Sequence, residues 1–257
     1  MQGRMSRRRA LFTGGTVGLG ALLAACSDGS GSPAATAVPT VDGGTATVRP
    51  QVTASTSAAL EELFAGSATC TLTKQETEGP YYFDADSVRS DIREDRLGTR
   101  LRLAIRVQDL PECTPVPNAV VDIWHCDAGG VYSGFEAASR GGPGGGRTDD
   151  EKYLRGAQVT NAQGIVEFVT IYPGWYRGRT VHIHIKVHLD NKTMLTSQLY
   201  FPEEVSSAVY AAAPYNQRTG RDRLNNNDSI FDQSLVLTVR PDGDGYLGVM
   251  TVGVDAP

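Results

Sequence analysis

An antiparallel β-sandwich is the fold class that this sequence of 257 residues predicts, and three observations carry the reading. Apolar residues alternate through Leu101, Leu103, Ile105 and Val107, and again through Val181, Ile183, Ile185, Val187 and Leu189. That period of two gives a strand one buried face. Further strand-like runs follow at Ala119 to His125, Leu154 to Thr160, Ile165 to Ile171, Leu195 to Phe201, Ser234 to Val239 and Tyr246 to Val254. Turn chemistry such as Asn161-Ala162-Gln163-Gly164 and Pro241-Asp242-Gly243 separates them. Many short strands at this spacing make an all-β sandwich with short helices and long loops.

Before the sandwich come two segments of a different kind. Ser6-Arg7-Arg8-Arg9-Ala10-Leu11-Phe12 is a basic start with paired arginines, followed by a short Gly-rich apolar run to Ala25. The run is too short to span a membrane, which needs about 20 apolar residues, so residues 1–25 read as a twin-arginine signal peptide. It ends in Leu23-Ala24-Ala25-Cys26, which resembles a bacterial lipobox with Cys26 as the lipidated first residue. An exported, cell-envelope or extracellular protein is therefore expected, touching membrane only through a lipid anchor. Twin-arginine export carries folded proteins, so the signal also fits a cofactor loaded before translocation. Residues 26–56 are rich in Ser, Gly, Pro, Thr and Ala, the composition of a flexible, disordered tether. The folded domain is expected over 57–257, opening on a short helical pattern at Ala58 to Phe64.

Composition, with 40% hydrophobic and 21% charged residues, suits one sizeable domain plus these appendages. Loss of the four signal arginines moves the formal charge from −5 to −9, which excludes nucleic acid as a partner. Of the remaining cysteines, Cys126 sits in an apolar strand as a buried thiol, and Cys70 is paired with Cys113 as a candidate disulfide in an oxidising compartment, although spacing does not fix connectivity. Arg140-Gly141-Gly142-Pro143-Gly144-Gly145-Gly146-Arg147 is a loop, either a flap over a site or a plain linker. A helix is expected after Pro202, where Glu203 and Glu204 suit the positive end of its dipole and Val205, Ala208 and Val209 form an apolar stripe. Asp242-Gly243-Asp244-Gly245 lacks the further ligands of a calcium loop and reads as a hairpin turn.

The sharpest local feature is His182-Ile183-His184. Residues two apart on a strand project from one face about 6.6 Å apart along the chain, so both imidazoles can meet one metal ion. In isolation such a pair is more often a surface or core accident. His188 shares the parity but lies about 13 Å beyond His184, too far without a bend. His125, next to Trp124, reads as a packed histidine that orients its neighbours. With four histidines in all, and neither Cys-x-x-Cys nor His-Glu-x-x-His, a zinc-type ligand set is poorly supplied. The strong donors nearby are tyrosines, notably Tyr176. With a free pKa near 10, a phenol ionises at neutral pH only on a strongly Lewis-acidic cation, which favours iron(III).

Three stretches together resemble a known family. Pro117 to Ala128, continuing through Gly130-Val131-Tyr132-Ser133-Gly134, is similar to the first tyrosine motif of the intradiol ring-cleavage dioxygenases. Thr170-Ile171-Tyr172-Pro173-Gly174-Trp175-Tyr176, then Arg179-Thr180-Val181-His182-Ile183-His184, resembles the family's second tyrosine and its Arg-x-x-His-x-His signature. Thr77-Glu78-Gly79-Pro80-Tyr81-Tyr82 resembles the motif lining the substrate pocket. Each motif is moderately specific; the three in order are highly so.

The resemblance implies Tyr132, Tyr176, His182 and His184 as ligands of a non-haem Fe(III). It implies Tyr176 as the phenolate that accepts a substrate proton, Arg179 as the cation facing charge that develops on the ring, and Gln198 near the substrate. Gly79, Pro80 and Tyr81 become substrate-binding residues. The implied activity is intradiol cleavage of a catechol-type aromatic diol with O2 to a cis,cis-muconate-type product. Two phenolates, two neutral imidazoles and a hydroxide would leave a ferric site neutral, as burial requires. Two departures stand out. Only five residues separate Tyr176 from His182, fewer than expected of the catechol- and protocatechuate-specific branches, so the wall from that loop is shorter and substrate identity stays open. The helical dimerisation region of the catechol-specific branch is missing, which leaves a homodimer open. Two rival readings are a non-catalytic envelope module binding aromatics or polysaccharide on the same sandwich, and a copper or zinc enzyme using the two histidines, which leaves both tyrosine motifs unexplained.

Overall fold

A computed structural model describes residues 36–39, 45–48, 61–64, 71–142, 146–190 and 192–256. The signal segment, Cys26 and Cys70 lie outside the described residues. Within the stretch read as a tether, β1 (Thr36–Pro39) pairs antiparallel with β2 (Thr45–Val48). Residues 61–63 are helical, and Phe64 is buried beneath the guanidinium of Arg106. Among the described residues no helix is long and apolar enough to cross a membrane.

Two sheets form the sandwich. In the first, β3 (Arg100–Asp109) lies between β11 (Gly245–Val254) and β7 (Ile165–Ile171). β10 (Thr238–Asp242) extends one edge, and the two-residue β4 (Thr114–Pro115) pairs with the end of β3. The second sheet runs β6 (Arg155–Val159), β5 (Val120–Trp124), β8 (His182–Leu189), β9 (Lys192–Tyr200), antiparallel throughout. One pair departs from the antiparallel expectation, since β3 and β11 run parallel. Parallel neighbours need a long connection, and here the whole second sheet lies between them in sequence.

Leu101, Leu103, Ile105 and Val107 of β3 face Val121 and Ile123 of β5 and Ile183, Ile185 and Val187 of β8 across the core. This is the alternation read from the sequence. It also means that His182 and His184 occupy the other face of β8, together with Trp124 of β5. A separate aromatic cluster covers that face: Trp124, Cys126, Tyr132 and Phe135, with Tyr81, Tyr82, Phe83 and Tyr176 packed against them. The second sheet is therefore buried on both sides, apolar within and aromatic without.

The expected helix is present at Glu203–Tyr210. Glu203 and Glu204 stand in its first turn as expected, and Glu203 also receives Arg221 Nη1 at 2.8 Å and the backbone N–H of Asn225 at 2.6 Å, tying the helix to the loop that follows. The strand expected over Ser234 to Val239 is a 3-10 turn at Gln233–Leu235 before β10 begins at Thr238. Asp232 turns the chain there by accepting from Ser234 N at 2.9 Å. The hairpin reading of 242–245 holds, as Asp242 and Gly245 are register partners of β10 and β11.

Candidate metal centre

β8 presents His182 and His184 side by side, both 2% exposed. Their Nε2 atoms are 3.1 Å apart, and Tyr176 Oη is 3.1 Å from His182 Nε2. His182 Nδ1 lies 2.7 Å from the carbonyl of Thr180, which can only accept. The ring proton is thus held on Nδ1, and Nε2 keeps its lone pair for the centre. His184 is stacked flat on Trp124, with centroids 4.8 Å apart and planes within 4°. On its other side Gly79, at φ +73°, comes so close that a Cβ there would lie 3.2 Å from His184 Cε1; both the conformation and the space call for glycine.

The two tyrosines arrive on loops. Tyr176 sits in the short turn between β7 and β8, closed by a bridge from Tyr176 to Arg179. That bridge is how five intervening residues suffice to return the chain to His182. Tyr132 is fully buried, its ring 5.7 Å from that of Tyr176 and 6.1 Å from that of His184. Among the described residues its buried hydroxyl makes no hydrogen bond within 3.5 Å, an expensive state for a polar atom, and Tyr176 is the phenol that acts on it. First-row metal bonds of roughly 2.1 Å set at right angles hold donor atoms about 3 Å apart, which is the spacing of the two imidazole nitrogens and the Tyr176 oxygen.

Burial dominates the electrostatics. It lowers His182 to about 3, aided by the nearby Arg179 charge, and holds His184 well below the usual imidazole range, so both rings are neutral at pH 7. Burial likewise raises both phenols above their usual value. Only a strongly charged cation among the four donors would ionise them. Among the described residues no three His, Cys, Asp or Glu side chains converge, so a metal held here takes its remaining donors from the tyrosines.

Arg179 stands at the edge of this cluster. Its Nε donates to Asp228 Oδ2 at 2.9 Å and its Nη2 to Gln198 Oε1 at 2.6 Å. Gln198 in turn donates from Nε2 to the carbonyl of Thr77 at 3.0 Å, linking the guanidinium to the segment that carries Gly79. Tyr200 donates to Glu76 Oε2 at 2.6 Å and reaches Gln198 Oε1 at 3.3 Å. Burial works against ionisation of Asp228, but hydrogen bonds from Thr180 N and Ile230 N, with Arg179, hold its carboxyl below the usual range. Tyr81 lies over Tyr132, centroids 4.8 Å apart, while Pro80 is exposed beside it.

All four residues singled out as ligands are brought together, with Arg179, Gln198, Gly79 and Tyr81 around them. His188 is not among them; past a register shift at Val187 and His188 it pairs with Thr193 Oγ1 at 3.1 Å. His125 is wholly buried between the Cys126 carbonyl and Thr170 Oγ1. Cys113 is disulfide-bonded, and Cys126 is a buried free thiol. Asp228, Tyr200 and Glu76, which hold Arg179 and Gln198, went unnoticed in the sequence, where none lies in a recognisable motif.

Comparison with known proteins points the same way. The family model described as Dioxygenase matches residues 77–224. A chlorocatechol 1,2-dioxygenase of Rhodococcus opacus is 32% identical over 129 residues, 43% of this chain and 46% of that protein. An intradiol ring-cleavage dioxygenase from Tetranychus urticae superposes with a TM-score of 0.68 at 34% identity, covering 72% of this chain and 95% of the other. The dioxygenase domain of a dioxygenase carbohydrate-binding protein fusion from Streptomyces sp. SirexAA-E gives 0.55 at 31% identity, covering 73% and 100%. The chain spans about half the length of the curated relatives it matches.

Proposed function

Because the chain belongs to the intradiol ring-cleavage dioxygenase family, we propose that it is a non-haem iron(III) enzyme that opens a catechol-type ring between its two hydroxyl-bearing carbons, using O2 and yielding a cis,cis-muconate-type product. The observation that carries this reading is the meeting of Tyr176 Oη, His182 Nε2 and His184 Nε2 at 3.1 Å spacings, with the unpartnered hydroxyl of Tyr132 beside them. Hard phenolates and neutral imidazoles suit a ferric ion. Bound by these four residues, iron(III) would supply the Lewis acidity that keeps the phenols ionised and favours reaction of the chelated diol with O2.

The protein's own groups account for the rest. Tyr176 is raised chiefly by burial, so a phenolate there would be a strong base, suited to take a diol proton at Oη. Arg179, fixed by Asp228 and Gln198, offers a rigid guanidinium to negative charge developing on the ring. Trp124, stacked on His184, and Tyr81, over Tyr132, cover the aromatic side.

Purified protein is expected to hold about one iron per chain, to absorb visible light through tyrosine-to-iron charge transfer, and to lose both in Tyr176→Phe. Oxygen uptake and product identification over a panel of catechols and hydroxyquinol tests the reaction. Colourless protein without iron, after iron-supplemented expression, sinks the proposal. For location, the reading is export followed by lipid attachment at Cys26; fatty-acid labelling of the wild type, absent in Cys26→Ser, is the expected result.

A further inference from the structure

Arg155, at the start of β6, is 1% exposed. A buried guanidinium normally faces a carboxylate, yet among the described residues Arg155 forms no ion pair, and its Nη1 has no hydrogen-bond partner. Its other nitrogens go to a single residue, Ser133, Nε to the hydroxyl at 2.9 Å and Nη2 to the carbonyl at 2.7 Å. Ser133 passes its own proton to the carbonyl of Tyr153 at 2.7 Å. The guanidinium also lies 4.2 Å over the ring of Phe83 and 5.8 Å from that of Phe135. Phe83 in turn packs so tightly on Gly134 that a Cβ there would meet its ring at 2.6 Å. Directly after Tyr132, Ser133 is thus gripped at its hydroxyl and its carbonyl by Arg155, whereas Gly134 is held by Asp149 Oδ1 at 2.7 Å and by Thr148 N, and Arg147 shares the Phe83 ring at 4.1 Å.

We propose that Arg155 is a positioning residue for Tyr132, clamping Ser133 so that the phenol stays at the metal centre and setting a fixed positive charge behind its ring. Burial lowers the Arg155 guanidinium to about 10, and the group that opposes this most is Tyr132. The acid that acts on Arg155, Asp122, is pushed up by burial to about 7 and hydrogen-bonded to Tyr82, which leaves it a weak counter-charge.

The inference rests on the ferric reading above, and the experiment separates the two. In iron-loaded protein, Arg155→Met is expected to move the tyrosine-to-iron band to longer wavelength, because a phenolate without a neighbouring cation gives up electron density more readily. Iron retention against a chelator is expected to fall about tenfold. Arg155→Lys keeps the charge but not the two-point clamp, so the band should stay while retention weakens. Amide exchange at residues 131–135 in iron-free protein gives a readout that needs no metal, and should quicken in Arg155→Lys at unchanged global stability. A folded Arg155→Met with wild-type band and retention overturns the proposal. Should that variant not fold, or the wild type hold no iron, unchanged exchange in Arg155→Lys overturns it and quickened exchange supports it. A wild type without iron sinks the ferric reading alone.

Discussion

Arg179 shows how much of this site is decided one side chain away from the chemistry. An arginine on a flexible stem spreads its charge over many positions, whereas here Asp228 and Gln198 take two edges of the guanidinium at 2.9 and 2.6 Å and fix its plane. Preorganised charge of this kind contributes more in a dry pocket than in water. Arg179→Gln is therefore expected to lower kcat by roughly 100-fold to 1000-fold while iron content and colour persist, as steady-state kinetics on iron-matched samples would reveal. Asp228→Asn keeps the shape of the clamp and removes its charge. A drop in kcat of about tenfold, with KM little changed, is the expected outcome; equal loss in kcat/KM and in iron content would show that Asp228 holds the fold of the loop and not the arginine.

At the scale of the element, β8 carries two functions on its two faces. Ile183, Ile185 and Val187 belong to the core, so Ile185→Ala should cost about 2–5 kcal/mol in denaturant melts. The neighbouring turn after the 220s loop depends on a different force. Asp232 caps the 3-10 turn through Ser234 N and receives Lys74 Nζ at 2.9 Å. The Lys74 bond, followed by those of Ser234, lowers the carboxyl to about 2. A carboxyl depressed in the folded state adds stability above its ordinary pKa near 4 and loses it as pH falls toward 2. Asp232→Ala is thus expected to cost about 1 kcal/mol at pH 7, less because half-exposed charges are screened by solvent, with wild type and variant converging below pH 2. Convergence at higher pH would assign the loss to packing. These elements also mark what a sequence reveals. Period-two alternation exposed β8 and its paired histidines, because one strand face is recorded in every second residue. The strand expected at Ser234 to Val239 starts only at Thr238, because the Asp232 cap turns the chain over Gln233–Leu235, and the parallel pairing of β3 with β11 leaves no local trace.

For the molecule as a whole, the site is where separate stretches are forced together. Tyr132, Tyr176, His182 and His184 could be picked out as proposed ligands because they sit in motifs, but Asp228 lies 49 residues from Arg179 along the chain and only the fold makes them neighbours. On the ferric reading, the same convergence would couple iron to stability. A metal that binds four donors from two loops and a strand, and finds no such set in the unfolded chain, stabilises the native state by about 4 kcal/mol when its free concentration is about 1000 times Kd. For a domain of this size that corresponds to roughly 10 °C in melting temperature. Calorimetry of the iron-loaded enzyme with and without a strong chelator should show such a gap, and His184→Ala should close it by melting at one temperature in either condition. His184 is stacked on Trp124 and packed by Gly79, so its loss also loosens the aromatic layer. Tyr176→Phe, which deletes one oxygen and keeps the ring, separates the two effects: a closed gap there assigns the stabilisation to coordination, while a gap of wild-type size would mean that the metal is held elsewhere.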